Sequence, residues 1–171
     1  MILVTVGTQL PFDRLIAAMD CIALELAEPV IAQAGRGKYV PANMRWQRSY
    51  EPAAFEALLA EARVIVAHAG IGSVFSARRH KKPIILFARS AALGEHRNEH
   101  QNSSVARLHG RRGIYMAESE VDLRRLLTSA TLVSGEVEEA VGRAQLLGRI
   151  AGFISESTSR ERPGNDQNHH D

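Results

Sequence analysis

The sequence predicts an α/β protein built on a doubly wound parallel sheet, and three observations carry that prediction. Short runs that are apolar throughout recur along the chain, segments with apolar residues at helical spacing stand between them, and glycines follow two of the runs. A run without helical period marks a strand buried on both faces, as parallel strands are when helices cover the sheet. Strands that alternate with helices call for crossover connections, hence parallel pairing.

Ile2–Val6 reads as the first strand, ended by Gly7-Thr8-Gln9. Pro11 opens a helix, where its missing N–H costs nothing, and Phe12, Leu15, Ile16, Met19, Ile22, Ala23 and Leu26 form its apolar stripe. Pro29–Gln33 is the second strand, followed by a flexible loop, Ala34-Gly35-Arg36-Gly37-Lys38. A weaker strand over Asn43–Arg48 holds Trp46, and Pro52–Ala62 reads as a helix. Arg63–Ala67 is a strand, Val74–His80 a helix that Ser73 is placed to cap, and Ile84–Phe87 a strand before a long loop over 88–95. A helix over Arg97–Leu108, a strand over Gly113–Met116 and a helix over Val121–Leu127 follow. Glu136–Ile154 carries the stripe Val137, Val141, Ala144, Leu147, Ala151 and Ile154. From Ser155 onward the chain is polar, and residues 155–171 are expected to lack fixed structure.

With 171 residues, 45% hydrophobic and 23% charged, the chain is expected to form one domain over 1–154, long enough for a core. A net charge of +2 makes no broad electropositive footprint for nucleic acid, and the basic run Arg78-Arg79-His80-Lys81-Lys82 reads as a solvated helix end, where cations suit the helix dipole. The single Cys21 forms no internal disulfide and is expected to be a small buried side chain in a reducing cytosol. The opening Met-Ile-Leu-Val-Thr-Val is too short for a secretory core, and no stretch approaches a membrane span.

The chain is organised around 64–101. His68-Ala69-Gly70-Ile71-Gly72-Ser73 places two glycines between a strand and a helix, where bare backbone and helix-start N–H groups suit phosphate oxygens. Phe75 stands where a dinucleotide fingerprint needs its third glycine, and no Gly-Lys-Ser/Thr follows for a Walker loop. In a parallel sheet this turn and the Gly7 turn emerge together at the carboxyl edge, where open α/β sheets bind ligands. Tyr50, in a third loop after a strand, either stacks on a base or packs at the sheet rim.

These motifs carry a family resemblance. Val4-Thr5-Val6-Gly7-Thr8-Gln9 with Pro11-Phe12-Asp13, then His68 to Ser73, then Gly94-Glu95-His96-Arg97-Asn98-Glu99-His100-Gln101 resemble, in order, the glycosyltransferase family 28 C-terminal domain over residues 1 to about 154. The family includes the C-terminal half of the bacterial peptidoglycan GlcNAc transferase and the small subunit of the eukaryotic dolichol-linked GlcNAc transferase. The Leu-Gly-Glu-His-Arg-Asn-x-His-Gln form is shared with small subunits of bacterial exopolysaccharide and capsule glycosyltransferases. The resemblance implies a Rossmann-like sheet forming the C-terminal half of a GT-B fold, and a hexosyltransferase activity with a UDP-sugar donor. By that similarity Gly7, Thr8, Gly70, Ile71, Gly72 and Ser73 hold the donor diphosphate. Ser49, Tyr50 and Ser76 meet the nucleoside, and His68, Glu95, His96, Glu99, Gln101 and Asn102 meet the sugar. His68 and His96 can also help neutralise the departing diphosphate or fix loop geometry. Where the peptidoglycan enzyme holds the ribose with a glutamate, this chain has Ser76, which makes a hydrogen bond but no two-oxygen clamp.

A whole GT-B enzyme has two such domains, so the resemblance implies a membrane-associated partner subunit that presents a lipid-linked glycan acceptor and carries the general base. No catalytic base, metal or cofactor is assigned to this chain, which is expected in the cytoplasm, recruited to the inner face of the membrane. Two other readings compete. The chain can be an accessory subunit that stabilises a partner glycosyltransferase without binding donor. Alternatively, His96-Arg97-Asn98-Glu99-His100 matches His-x-x-Glu-His, so His96, Glu99 and His100 can serve a zinc hydrolase, a reading that leaves both glycine turns without a task.

Overall fold

The computed structural model describes residues 1–7, 10–89, 95, 110–129 and 131–135, all within one compact unit spanning Met1–Val137. Its strands are β1 (Ile2–Thr5), β2 (Val30–Gln33), β3 (Arg45–Gln47), β4 (Val64–His68), β5 (Ile84–Phe87) and β6 (Ile114–Ala117), and its helices α1 (Asp13–Ala23), α2 (Pro52–Glu61), α3 (Ile71–Arg79) and α4 (Glu120–Ser129). All six strands pair in parallel in the order β3-β2-β1-β4-β5-β6. The doubly wound α/β sheet that the sequence predicts is therefore the fold. The helices expected over 97–108 and 136–154 and the tail from Ser155 lie outside the described residues.

Side chains alternate across the sheet and make two cores. Ile2, Val4 and Val6 pack with Leu15, Ile16, Met19 and Ile22 of α1 and Leu123 and Leu127 of α4. Leu3, Ile65, Ala67, Ile84 and Leu86 pack on the other face with Leu59 of α2 and Val74 and Ala77 of α3. Burying each large aliphatic side chain contributes about 1.5–3 kcal/mol, which makes this two-sided burial the main drive to the fold. α2 starts at Pro52, as expected of proline in a first turn.

Several elements differ from the sequence prediction for identifiable reasons. α1 starts at Asp13 rather than Pro11, because Arg89 Nη1 donates to the Pro11 carbonyl at 2.7 Å and the first helical bond runs from Ile16 N–H to Phe12 O. α3 starts at Ile71, three residues early: the Gly70 carbonyl already accepts from Ser73 and Val74 N–H. Gly70 is thus the N-cap without a side-chain cap bond, and Ser73, inside the first turn, does not cap. Cys21 is exposed rather than buried, since α1 turns Leu15, Ile16, Met19 and Ile22 inward.

The segment 34–38, expected to be flexible, is instead tied down. Ala34 N–H donates to Gln47 O, Gly35 N–H to Arg48 O, and Lys38 N–H to the Asp13 carboxylate at 3.0 Å. Further along the same connection, the buried Asp20 carboxylate accepts from the Tyr39 hydroxyl at 3.0 Å and from the backbone N–H groups of Ala42 at 3.0 Å and Asn43 at 2.7 Å. Both acidic groups belong to α1, so one helix sets the path from β2 to β3. Removing this buried carboxylate breaks three hydrogen bonds to a charged acceptor at once, although Ala42 and Asn43 are exposed enough for water to take up part of the loss. Asp20→Ala is therefore expected to lower unfolding stability by about 3 kcal/mol, read as a fall in the urea midpoint at unchanged slope.

Candidate functional site

The winding of the sheet reverses between β1 and β4, and open α/β sheets hold ligands in the crevice outside the carboxyl ends of the strands at such a point. A cavity of about 400 Å3 opens there. Thr5, Val6 and Gly7 line it at the end of β1, Gln33 at the end of β2, and Ile65 and His68 from β4. Phe55 and Leu59 of α2, Gly72, Ser73 and Ser76 of α3, and Leu10 and Arg89 complete the wall.

His68, the last residue of β4, is wedged between the two glycine turns. A Cβ on Gly7 would stand 2.7 Å from His68 Cε1, and Gly7 has φ of +75°, a region that other residues enter at a cost. A Cβ on Gly70 would overlap His68 Nε2. Gly72 is different: no atom of the described residues stands within 4 Å of where its Cβ would be, and it lines the cavity.

Burial holds the His68 imidazole below its ordinary pKa, and the positive charge of Arg89 lowers it further. The Thr5 backbone works the other way, weakly, because the buried Nδ1 makes no well-formed hydrogen bond. At pH 7 the ring is neutral, able to donate from one nitrogen and accept at the other. Beside it, the Ile71 and Gly72 N–H groups at the start of α3 have no acceptor in the preceding turn and lie at the positive end of the helix dipole, with Arg78 and Arg79 at the opposite end.

A buried cation underlies the Gly7 turn. Arg89, only 9% exposed, donates from Nη1 to the carbonyls of Pro11 at 2.7 Å and Glu95 at 2.9 Å, and from Nη2 to those of Leu10 at 3.1 Å and Val6 at 3.4 Å. Its guanidinium carbon lies 4.4 Å from the centre of the Phe12 ring, a cation–π distance. Arg14 grips both carboxylate oxygens of Glu95, at 3.0 and 2.9 Å, and also donates to the Ala88 carbonyl at 2.6 Å. Burial lowers the Arg89 pKa, the Glu95 charge raises it, and the Arg14 charge lowers it.

Of the residues singled out from sequence, Gly7, His68, Gly72, Ser73 and Ser76 line one cavity, and Gly70 abuts its histidine. Ile71 is half exposed, at the start of α3. Ser49 and Tyr50 do not line the cavity. The Tyr50 N–H donates to Gln33 Oε1 at 3.1 Å, which joins that loop to the wall through Gln33, and the ring is partly buried at the rim. Glu95 directs its carboxylate to Arg14 and its carbonyl to Arg89, so its tie to the site runs through the two arginines. Thr8, His96, Glu99, Gln101 and Asn102, and His100 of the zinc alternative, lie outside the described residues. Among the described residues no cluster of three or more His, Cys, Asp or Glu side chains is arranged to hold a metal, and no helix is long and apolar enough to cross a membrane.

Sequence reasoning missed Gln33 and Arg89. Each is a polar residue at or just past the carboxyl end of a buried strand, a position that marks the ligand edge of a parallel sheet. Gln33 also donates weakly to Thr5 Oγ1 at 3.5 Å, linking the ends of β2 and β1.

The family described as "Glycosyltransferase family 28 C-terminal domain" matches residues 1–134. No curated protein sequence matches the chain. Among solved structures the chain is similar to CalG4, the calicheamicin glycosyltransferase, with TM-score 0.59 and 17% identity over 95% of this chain and 44% of that one. It is also similar to the solution structure of ALG13, with TM-score 0.52 and 17% identity over 85% of this chain and 93% of that one. The glycosyltransferase SnogD from Streptomyces nogalater matches at 23% identity over 75% of this chain, TM-score 0.49, and the chain spans only 35% of SnogD. At these identities the likeness is one of fold.

Two expectations test the wedge. Gly70→Ala and His68→Ala should couple favourably by about 1 kcal/mol in a double-mutant cycle of unfolding free energies, because removing the ring relieves the collision. Gly7→Ala should stay destabilised in the His68→Ala background, since its positive φ remains. The second expectation concerns pH. An unfolded imidazole titrates near about 6.5 and the folded one lower, so between the two values the unfolded state binds more protons. The His68 contribution is full above that range and is lost as pH falls toward the folded value. The melting temperature of the natural chain should accordingly drop further between pH 7.5 and 5 than that of His68→Gln.

Proposed function

We propose a function from the premise that the chain belongs to the glycosyltransferase family 28 C-terminal domain family: it is the UDP-sugar donor-binding subunit of a two-chain hexosyltransferase. The observation that carries this reading is the cavity at the β1/β4 reversal, where both glycine turns meet a neutral histidine. Backbone N–H groups at a helix start, an open Gly72 and a buried arginine nearby suit a diphosphate, and a nucleoside diphosphate is the part common to sugar donors of this kind. Ser76 on α3 and the Tyr50–Gln33 link are proposed to grip the nucleoside, and Glu99, Gln101 and Asn102, which follow Glu95 in sequence, to meet the sugar hydroxyls.

In the proposed reaction an acceptor hydroxyl oxygen bonds to the anomeric carbon of the donor. The bond from that carbon to the diphosphate oxygen breaks, and UDP leaves with the electron pair. This chain holds the departing charge: the α3 N-terminus and the Gly7 turn face it, and the neutral His68 can donate a hydrogen bond to it. The proton of the acceptor hydroxyl goes to a base on a membrane-associated partner subunit that presents a lipid-linked glycan intermediate of exopolysaccharide or capsule synthesis. The acceptor half of a GT-B enzyme is supplied in this way, and the chain works at the inner face of the membrane by docking to that partner.

Calorimetric titration of the chain, alone and with its partner, with UDP and with ADP tests the reading. Selective UDP binding is expected, and binding of neither nucleotide under both conditions overturns it. Gly72→Glu should abolish UDP binding while leaving the melting temperature nearly unchanged, because the new side chain meets open space but brings a negative charge to the anion site.

A further inference from the structure

Gly7 itself brings no side chain to an anion, and the Val6 carbonyl just before it accepts from Arg89, 83 residues away in sequence. Burying a guanidinium is costly unless its donors are satisfied. Here four main-chain carbonyls satisfy them, three from the segment between β1 and α1 and one from Glu95. Carbonyl oxygens answer the hydrogen bonds but not the charge. Among the described residues, the Glu95 carboxylate is gripped on both oxygens by Arg14, so Arg14, Arg89 and Glu95 together carry one more positive than negative charge. Arg89 itself lines the cavity, and its positive field is felt at His68 across the site. The trans peptide adds a geometric consequence: with the Val6 carbonyl drawn to Arg89, the Gly7 N–H points away from the cation.

We infer that Arg89 is a positioning and specificity residue of the donor site: it clamps the Gly7 turn to the segment at Glu95 and sets an excess positive charge behind the cavity, so that the site selects a nucleoside diphosphate over the bare nucleoside. This deepens, and rests on, the donor-binding reading above. Arg89 touches backbone rather than reacting atoms, so its effect on the ligand runs through the turn it holds and the field it makes. Lysine in its place keeps the charge but, as a point donor on a flexible stem, cannot span four carbonyls. Glutamine loses both.

The test titrates the full chain, natural, Arg89→Lys and Arg89→Gln, with UDP and with uridine, and follows the His68 ring by NMR against pH. Arg89→Gln is expected to weaken UDP at least tenfold while uridine changes less than twofold, and Arg89→Lys to fall between. The His68 pKa is expected to rise in Arg89→Gln and stay low in Arg89→Lys, a readout that loss of packing alone would not move in this pattern. A ratio of UDP to uridine affinity in Arg89→Gln within twofold of the natural chain overturns the inference. If Arg89→Gln fails to fold, Arg89→Lys decides: a ratio reduced at least threefold supports the role, and an unchanged ratio overturns it. If the natural chain binds no UDP, the donor reading is what fails, and inorganic pyrophosphate becomes the probe. Binding that Arg89→Gln loses supports the inference, whereas equal binding, or none by the natural chain, overturns it.

Discussion

Two turns that are 63 residues apart in sequence can close on one histidine because neither Gly7 nor Gly70 carries a Cβ. His68 fills the space that those atoms would take, and the parallel pairing of β1 with β4, Thr5 against Ala67, brings all three to the same edge. Everything proposed for the site depends on this fit. It sets the distance between the Gly7 turn and the start of α3, and it buries the imidazole enough to keep it neutral.

Charge in the site is arranged at one remove from the cavity. Among the described residues, the side chains along its wall are neutral except for Arg89, whose guanidinium is bound to carbonyls, with Arg14 and Glu95 paired beside it. A ligand anion would thus meet N–H groups and a neutral ring first, with positive charge behind them. Such an arrangement stabilises a developing negative charge without exposing a free cation to solvent, where water and salt would weaken it.

The same helix serves both the core and the periphery of the site. α1 buries Leu15, Ile16, Met19 and Ile22 against the sheet while its two acidic residues, Asp13 and Asp20, hold the β2–β3 connection by backbone N–H groups. That connection leads into β3 and to the Tyr50 N–H, which binds Gln33 at the cavity wall. The cavity wall at Gln33 is thus tied, through this connection, to two carboxylates of a core helix.

Apolar runs, helical stripes and glycine breaks are local signals, and from them the sequence by itself determined the α/β class, the described strands and helices, and the meeting of the Gly7 and Gly70 turns at one sheet edge. Family motifs in the right order added the kind of ligand to expect. Helix starts were less legible, because a carbonyl's acceptor bond depends on what reaches it: Arg89 claims Pro11 O and delays α1, and Gly70 O brings α3 forward. Asp20 was not legible, since a polar residue in an apolar pattern looks like a surface position until its partners are known, and Gln33 and Arg89 were marked only by their places at or just past strand ends. Only the tertiary structure decided their roles, because those partners lie 17 to 83 residues away and a buried polar group takes its meaning from the remote groups that satisfy it.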